Sequence, residues 1–315
     1  MLRTMRALGA ICSVAVLAAC GGSAEDTSGS AEEQSGDFAG WPETIRVGVV
    51  PVEGGADTVE RYAPLEDFLT EELGRTVEVV SASSYQGVIT AMANDQIEFA
   101  RFGPDGYTEA ARRADAEALV CEINLDGKQG YHSIFIVPSE SPIRTLAQAR
   151  GAEFAFTDPN STSGYLIPAT IIHDEFGQAA EHFFGEVHFS GAHGTSMLQV
   201  ASGELEIAAS NDLDLDRMIQ KGALEPNDVR VVYRSEMIPG SPFAGRRSLP
   251  ASLKEAFINA MLGVNDREDM RERFQLSGYA RVNDEVYDII RATKRYLESQ
   301  RRASADAETS DGTDP

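Results

Sequence analysis

The chain has 315 residues, 42% of them hydrophobic, with 50 acidic against 27 basic side chains and a formal charge of −23. That balance excludes nucleic acid and an anionic membrane surface as partners, and the apolar content excludes a wholly disordered chain. A small anion is not excluded, because in a cleft it responds to nearby dipoles and donors more than to distant, screened charge.

Taken in chain order, the first element is an export signal. Arg3 and Arg6 precede an apolar run from Ala7 to Ala19 that is too short for a mature membrane span. The run ends in Leu17-Ala18-Ala19-Cys20, which resembles a bacterial lipobox. The reading is a lipoprotein signal peptide over 1–19, with a diacylated Cys20 as the new N-terminus and membrane anchor. Removing the two arginines takes the formal charge from −23 to −25. Residues 20–40 carry five acids and no basic side chain, so they read as a flexible acidic tether. Cys12 leaves with the signal, which leaves Cys121 alone, without a disulfide partner and read as a small buried hydrophobe.

From residue 44 strands and helices alternate. "TIRVGVV", "RTVEVVSA", "IEFARF", "EALVCEI" and "GYHSIFIVP" read as strands, and "YAPLEDFLTEEL", "SYQGVITAMAND" and "GPDGYTEAARRA" as the helices between them, with Ser84 as a cap and Pro104 at a helix start. A second set begins near Ser141 and pairs "EFAFT", "EVHFS" and "LEIAAS" with helices over "SGYLIPATIIHDEFG", "HGTSMLQVASGE" and "DLDLDRMIQKG". "VRVVYRS" returns as a strand, and the remainder to Ser299 reads as mostly helical. The alternation predicts an α/β protein with mainly parallel sheets. Two such sets predict two lobes, with the chain crossing near 131–140 and back near 230–238. Lobe I is assigned to 41–138 plus 234–300, lobe II to 139–233, and 301–315 to a disordered acidic tail.

In open α/β sheets ligands bind at the C-terminal strand ends, and there the unusual polar residues collect. The junction "TDPNSTSGYLIPATI" places Ser161, Thr162 and Ser163 at a helix start, where unpaired N–H groups and a partial positive charge already favour an anion. Three added hydroxyl donors match a phosphoryl-type group. By residues alone the same stretch also reads as an N-cap with spare hydroxyls. His132, His173, His182 and His188 are scattered without metal spacing, and the chain has no Walker loop, no G-x-S-x-G and no C-x-x-C.

"YAPLEDFL", "YQGVITAM", "FGPDGY", "GYHSIFIV", "DPNSTSGYLIP", "SGAHGTSMLQVASGELEIAASND" and "IPGSPFAGRRSLP" resemble, in order and from about Ile45 to Leu262, the phosphonate/phosphite substrate-binding proteins of ABC transporters. The resemblance implies the type II periplasmic-binding-protein fold, with two lobes, a double-stranded hinge and a ligand cleft between them. It implies an extracytoplasmic, monomeric protein that binds a phosphorus oxyanion by hinge closure, delivers it to a membrane permease, and needs no cofactor, metal or catalysis. It assigns the oxyanion to Ser161, Thr162 and Ser163, with Tyr85, Tyr131 and His193 as further donors.

The chain departs from relatives that take aminoethylphosphonate, whose acids hold the ammonium end, because Leu213 and Ser241 stand at the matching positions. That favours phosphite or a short alkylphosphonate, with Asp212 accepting a ligand proton or pairing with a neighbour, and with Phe102 and Tyr107 shaping the remaining wall. Three alternatives stay open. One is a subunit that presents its ligand to a sensor, another is a receptor for phosphate or sulfate, and the third is a hydrolase using a serine of 161–163 with His193.

Overall fold

The computed structural model describes residues 38–52 and 55–311, so the expected signal peptide, Cys20 and most of the tether lie outside it. The first lobe opens with β1 (Thr44–Val49), α1 (Gly55–Leu73), β2 (Thr76–Ser81), α2 (Tyr85–Ala93), β3 (Phe99–Arg101), α3 (Pro104–Ala114) and β4 (Ala116–Ile123). The second comprises β5 (Gly130–Pro138), β6 (Glu153–Phe156), α4 (Ile167–Phe176), α5 (Ala180–Phe183), β7 (Glu186–Phe189), α6 (His193–Ser202), β8 (Ile207–Asn211), α7 (Asp212–Gln220) and β9 (Val229–Pro239). The chain then returns through β10 (Pro242–Arg246), α8 (Ala251–Gly263), α9 (Glu268–Phe274) and β11 (Gly278–Arg281) to α10 (Asp288–Asp311).

The strand order is β11-β4-β10-β3-β1-β2 in one sheet and β7-β6-β8-β5-β9 in the other. Each sheet buries both faces, because separate apolar clusters pack above and below it. On the first sheet Leu65, Phe68 and Phe257 fill one side, and Val88, Met92 and Tyr107 the other. Gly48 of β1 has a local reason: a Cβ there would lie 2.6 Å from Ile97 and 2.9 Å from Val88, so its absence lets α2 settle on the sheet. Ser84 caps α2 as expected, its hydroxyl accepting from the Gly87 N–H at 3.2 Å.

The sheets are mixed rather than mainly parallel. β10 runs antiparallel to β3 and β4, and β5 runs antiparallel to β8 and β9. A chain that leaves one sheet and later re-enters it comes back in the opposite direction. The lobe boundaries move for a related reason. β5 falls within the span 41–138 expected for lobe I, but it pairs from Gly130 to Pro138 with β9, and the last residues of β9 stay in that ladder. The crossings therefore lie at 124–129 and at Gly240–Ser241, because an apolar strand run does not encode which sheet it joins.

At the crossing the two segments touch closely: the Gly240 N–H donates to the Gln129 carbonyl at 3.0 Å, and a Cβ on Gly130 would lie 2.7 Å from the Ile238 carbonyl oxygen. β10 and β11 stand where mostly helix was expected; both are short, with Pro or Gly in them.

At the ends, Phe38 packs edge-on against Trp41 at 5.1 Å and lies under the Arg75 guanidinium, so residues 38–40 join the fold rather than the tether. α10 continues to Asp311, through the stretch assigned to a tail. It lies on both lobes. Ile290 and Leu297 join the core of the second lobe, Lys294 meets Asp105 of α3 at 3.0 Å, and Arg301 reaches Tyr165 and Glu181. No helix among the described residues is long and apolar enough to cross a membrane.

Candidate oxyanion-binding site

A cavity of about 30 Å³ lies where the C-terminal ends of β3, β6 and β8 approach the starts of α2, α6 and α7. Tyr85, Tyr131, Ser161, Thr162, Ser163 and His193 all line it, drawn from both sheets. All six are buried.

The segment after β6 is built to present hydroxyls. Asp158 turns the chain by accepting from the Asn160 N–H at 2.8 Å. Thr162–Leu166 then forms a single wide helical turn before α4. Gly164 is required here, since a Cβ would lie 2.3 Å from Thr157 Oγ1 and 2.9 Å from Ser161 Oγ. The Gly164 N–H donates to Ser161 Oγ at 3.0 Å. Thr162 Oγ1 accepts the Asp105 backbone N–H of α3 at 2.8 Å, a bond from one lobe to the other. Each hydroxyl that accepts in this way keeps its own hydrogen for a ligand.

His193 opens α6. Its Nε2 lies 3.2 Å from Ser161 Oγ, and its Nδ1 lies 3.0 Å from Ser210 Oγ and 3.4 Å from Thr157 Oγ1. Burial pushes its pKa down, so the ring is neutral near neutral pH. With Nε2–H donating to Ser161 and Nδ1 accepting from Ser210, both ring nitrogens are paired. His193 thus orients Ser161. Tyr131, on β5, faces Ser163 and Thr162; burial raises its pKa to about 12, so it is a neutral donor. Burial likewise holds Tyr85 well above its ordinary value.

The structure separates two expected residues from the site. Phe102 is fully buried in the apolar cluster under α2 and α3 and does not reach the cavity, because the strand period turns it to the face opposite Arg101. Tyr107 is buried in the same cluster and donates to Asp284 at 2.5 Å. Asp212 is also elsewhere: its Oδ1 accepts the His132 and Leu213 N–H groups at 2.9 and 3.0 Å, and its Oδ2 pairs with Arg234 at 2.6 Å. It lines an outer cavity of about 290 Å³. Asp214, two residues on and therefore on another face of α7, lines the inner cavity instead. Leu213 lines both cavities and stands between them, and Ser241 lines the inner one.

Arg101, Asn211 and Arg217 are lining residues that sequence reasoning missed, and Asp214 rather than Asp212 is the acid of α7 that lines the cavity. Arg101 bridges Glu122 through Nε at 2.6 Å and Nη2 at 2.8 Å. Asp214 accepts from Arg217 Nη1 and from Asn211 Nδ2 at 2.7 Å, with Arg61 of α1 at 4.0 Å. Burial pushes the Asp214 carboxyl up, but Arg217, then His193, then Arg61 outweigh it and hold it at about 2. Because His193 is neutral near neutral pH, the two guanidinium groups carry that pull there. The available signal was an arginine in the three-residue buried strand "FAR", and Arg217 three residues after Asp214 on one helix.

The family model described as ABC transporter, phosphonate, periplasmic substrate-binding protein matches residues 47–287. A protein of Mycolicibacterium smegmatis named phosphate-import protein PhnD is 32% identical over 290 residues, covering 89% of this chain and 88% of that one. Among solved structures, the binding-protein component of a Pseudomonas aeruginosa ABC phosphonate transporter superposes with a TM-score of 0.78 at 24% identity, over 82% of this chain and 88% of the other. Prochlorococcus marinus PhnD1 in complex with methylphosphonate gives 0.73 at 17% identity, over 82% and 99%. These likenesses establish the two-lobe type II periplasmic-binding-protein architecture expected from the sequence.

Proposed function

This chain belongs to the periplasmic substrate-binding proteins of phosphonate ABC transporters, and from that premise we propose that it captures a small tetrahedral phosphorus oxyanion and delivers it to a membrane permease. The ligands that suit it are phosphite, methylphosphonate and phosphate. The observation that carries the reading is the convergence of Ser161, Thr162, Ser163, Tyr85 and Tyr131 on one small cavity, where the Ser161 and Thr162 oxygens each accept from a backbone N–H. Leu213 stands between this cavity and the outer one, which suits a headgroup with a small substituent. The import role of the mycobacterial relative and the methylphosphonate held by the cyanobacterial neighbour fit the same size class.

Lobe closure about 124–129 and 240–241 brings the Asp105 N–H of one lobe onto Thr162 of the other, so bound and closed states stabilise each other. Binding without turnover is favoured because Ser161 Oγ already accepts from Gly164 and from His193, whose other ring nitrogen pairs with the Ser210 hydroxyl rather than with a carboxylate that would orient it as a general base. Cys20 anchors the mature chain through lipid, and Cys20→Ser should block processing or release the protein from membranes; retention would argue for another tether.

Calorimetric titration of residues 21–315 with phosphite, phosphate, methylphosphonate, aminoethylphosphonate and sulfate tests the function. Tight binding of one of the first three is expected. Preference for aminoethylphosphonate would overturn the role given to Leu213, and binding of none of the five would overturn the oxyanion site.

A further inference from the structure

α10 packs against α3 of the first lobe and against α4 and the Thr162–Leu166 turn of the second. Its root lies at the crossing between lobes, where the buried Tyr287, just before the helix, donates to the Gly240 carbonyl at 3.0 Å. Seven residues on, Lys294 Nζ donates to both carboxylate oxygens of Asp105, at 3.0 and 3.2 Å. Seven further, Arg301 donates to the Tyr165 hydroxyl at 2.5 Å and to Glu181 at 3.1 Å. A repeat of seven keeps such side chains close to one stripe of a helix, about 10 Å apart along its axis.

Lys294 and Arg301 grip the two sides of a single bond. Asp105 is the residue whose backbone N–H crosses the cleft to Thr162 Oγ1, and Tyr165 belongs to the same turn as Thr162. The Asp105 carboxylate is buried, and an uncompensated charge there would be unfavourable, so the Lys294 ammonium fixes where the start of α3 lies against α10. Ile290 and Leu297 sit in the core of the second lobe and fix α10 against the turn. Neither Lys294, Arg301 nor Tyr165 lines the oxyanion cavity.

We propose that α10 braces the closed cleft, with Lys294 and Arg301 as positioning residues that hold the Asp105 N–H on Thr162 and thereby set how long the anion stays bound. This rests on the oxyanion reading above and adds to it the contact that governs release. α10 travels with the second lobe through Ile290 and Leu297, so opening about 124–129 and 240–241 parts Lys294 from Asp105. Entry of the anion into an open cleft breaks no such contact. The brace therefore acts on release and leaves association alone.

Residues 21–315 are titrated with phosphite, phosphate and methylphosphonate, and the tightest of the three serves as the probe. Stopped-flow tyrosine fluorescence, reported by Tyr85 and Tyr131 in the cavity wall, gives association and release rates. Lys294→Met should speed release about tenfold, the size of one hydrogen bond to a charged group, with association within about twofold of the unaltered protein. Lys294→Arg keeps the charge and should restore most of the hold. Arg301→Met should speed release about threefold, as suits one half-exposed bond. It carries the test alone if Lys294→Met, which strands the Asp105 carboxylate, fails to fold.

In a Thr162→Ala background the cross-lobe bond is already gone, so neither change should weaken calorimetric affinity further; a general loss of structure would add in full. Unchanged release in the variants, association slowed as much as release is speeded, or full additivity with Thr162→Ala would overturn the brace and leave the oxyanion receptor standing. Failure of the unaltered protein to bind any of the three anions would overturn both.

Discussion

On the proposed function, replacing Thr162 by alanine should remove two hydrogen bonds at once. The first is the bond its hydrogen would give to a bound oxyanion, charge-assisted and therefore worth about 1.5–3 kcal/mol. The second is the bond its oxygen accepts from the Asp105 N–H, which crosses between lobes at 2.8 Å. Asp105 is almost fully buried, so its amide has no water to turn to once the lobes are closed. Leaving that donor unsatisfied costs about a further 1–3 kcal/mol, and the cost falls on the closed state that holds the ligand. The sum is about 2.5–6 kcal/mol, or roughly two to four orders of magnitude in affinity. Thr162→Ser keeps both bonds and should stay close to the unaltered protein. Calorimetric titration with whichever phosphorus oxyanion binds tightest reads both variants. A Thr162→Ala affinity within about threefold of the unaltered protein, less than one ordinary hydrogen bond, would refute both the ligand contact and the cross-lobe role.

Gly164→Ala forces a methyl onto Thr157 and Ser161 and should lower stability by about 1–3 kcal/mol, seen as an earlier melting transition together with weakened ligand binding. Leu213→Ala should join the inner and outer cavities and admit aminoethylphosphonate, which the unaltered chain should reject; calorimetry with that ligand decides it. Asp214, held at about 2, contributes stability that is complete above its ordinary value of about 3.9 and is lost as pH falls from there through about 2. Asp214→Asn should therefore flatten melting temperature against pH across that acid window. His193 is held below its ordinary value of about 6.5, so the unfolded ring takes up a proton first and stability declines as pH drops below that value; His193→Gln should remove that part of the decline.

Much of the molecule was legible in the sequence because its signals are local. Alternating apolar runs and caps such as Ser84 mark strands and helix starts through backbone geometry within a few residues. The stretch from Asp158 to Gly164 declares an anion-seeking helix start by its hydroxyls and its glycine, and there the chain does line the cavity. Tyr85, Tyr131 and His193 were found through motif order rather than through spacing. What the sequence left undecided depends on partners far away in the chain. β5 reads like any buried strand, and only its pairing with β8 and β9 assigns it to the second sheet. Asp212 and Asp214 are equally acidic and adjacent in pattern, but the rotation of α7 against the sheets points one to Arg234 and the other to the cavity. Arg61, Arg101, Glu122, Asp214 and Arg217 come from α1, β3, β4 and α7, so they are brought together only once both lobes are assembled. Short-range periodicity determines the elements, whereas the dielectric and the neighbours that give a buried charge its function are set by tertiary packing alone.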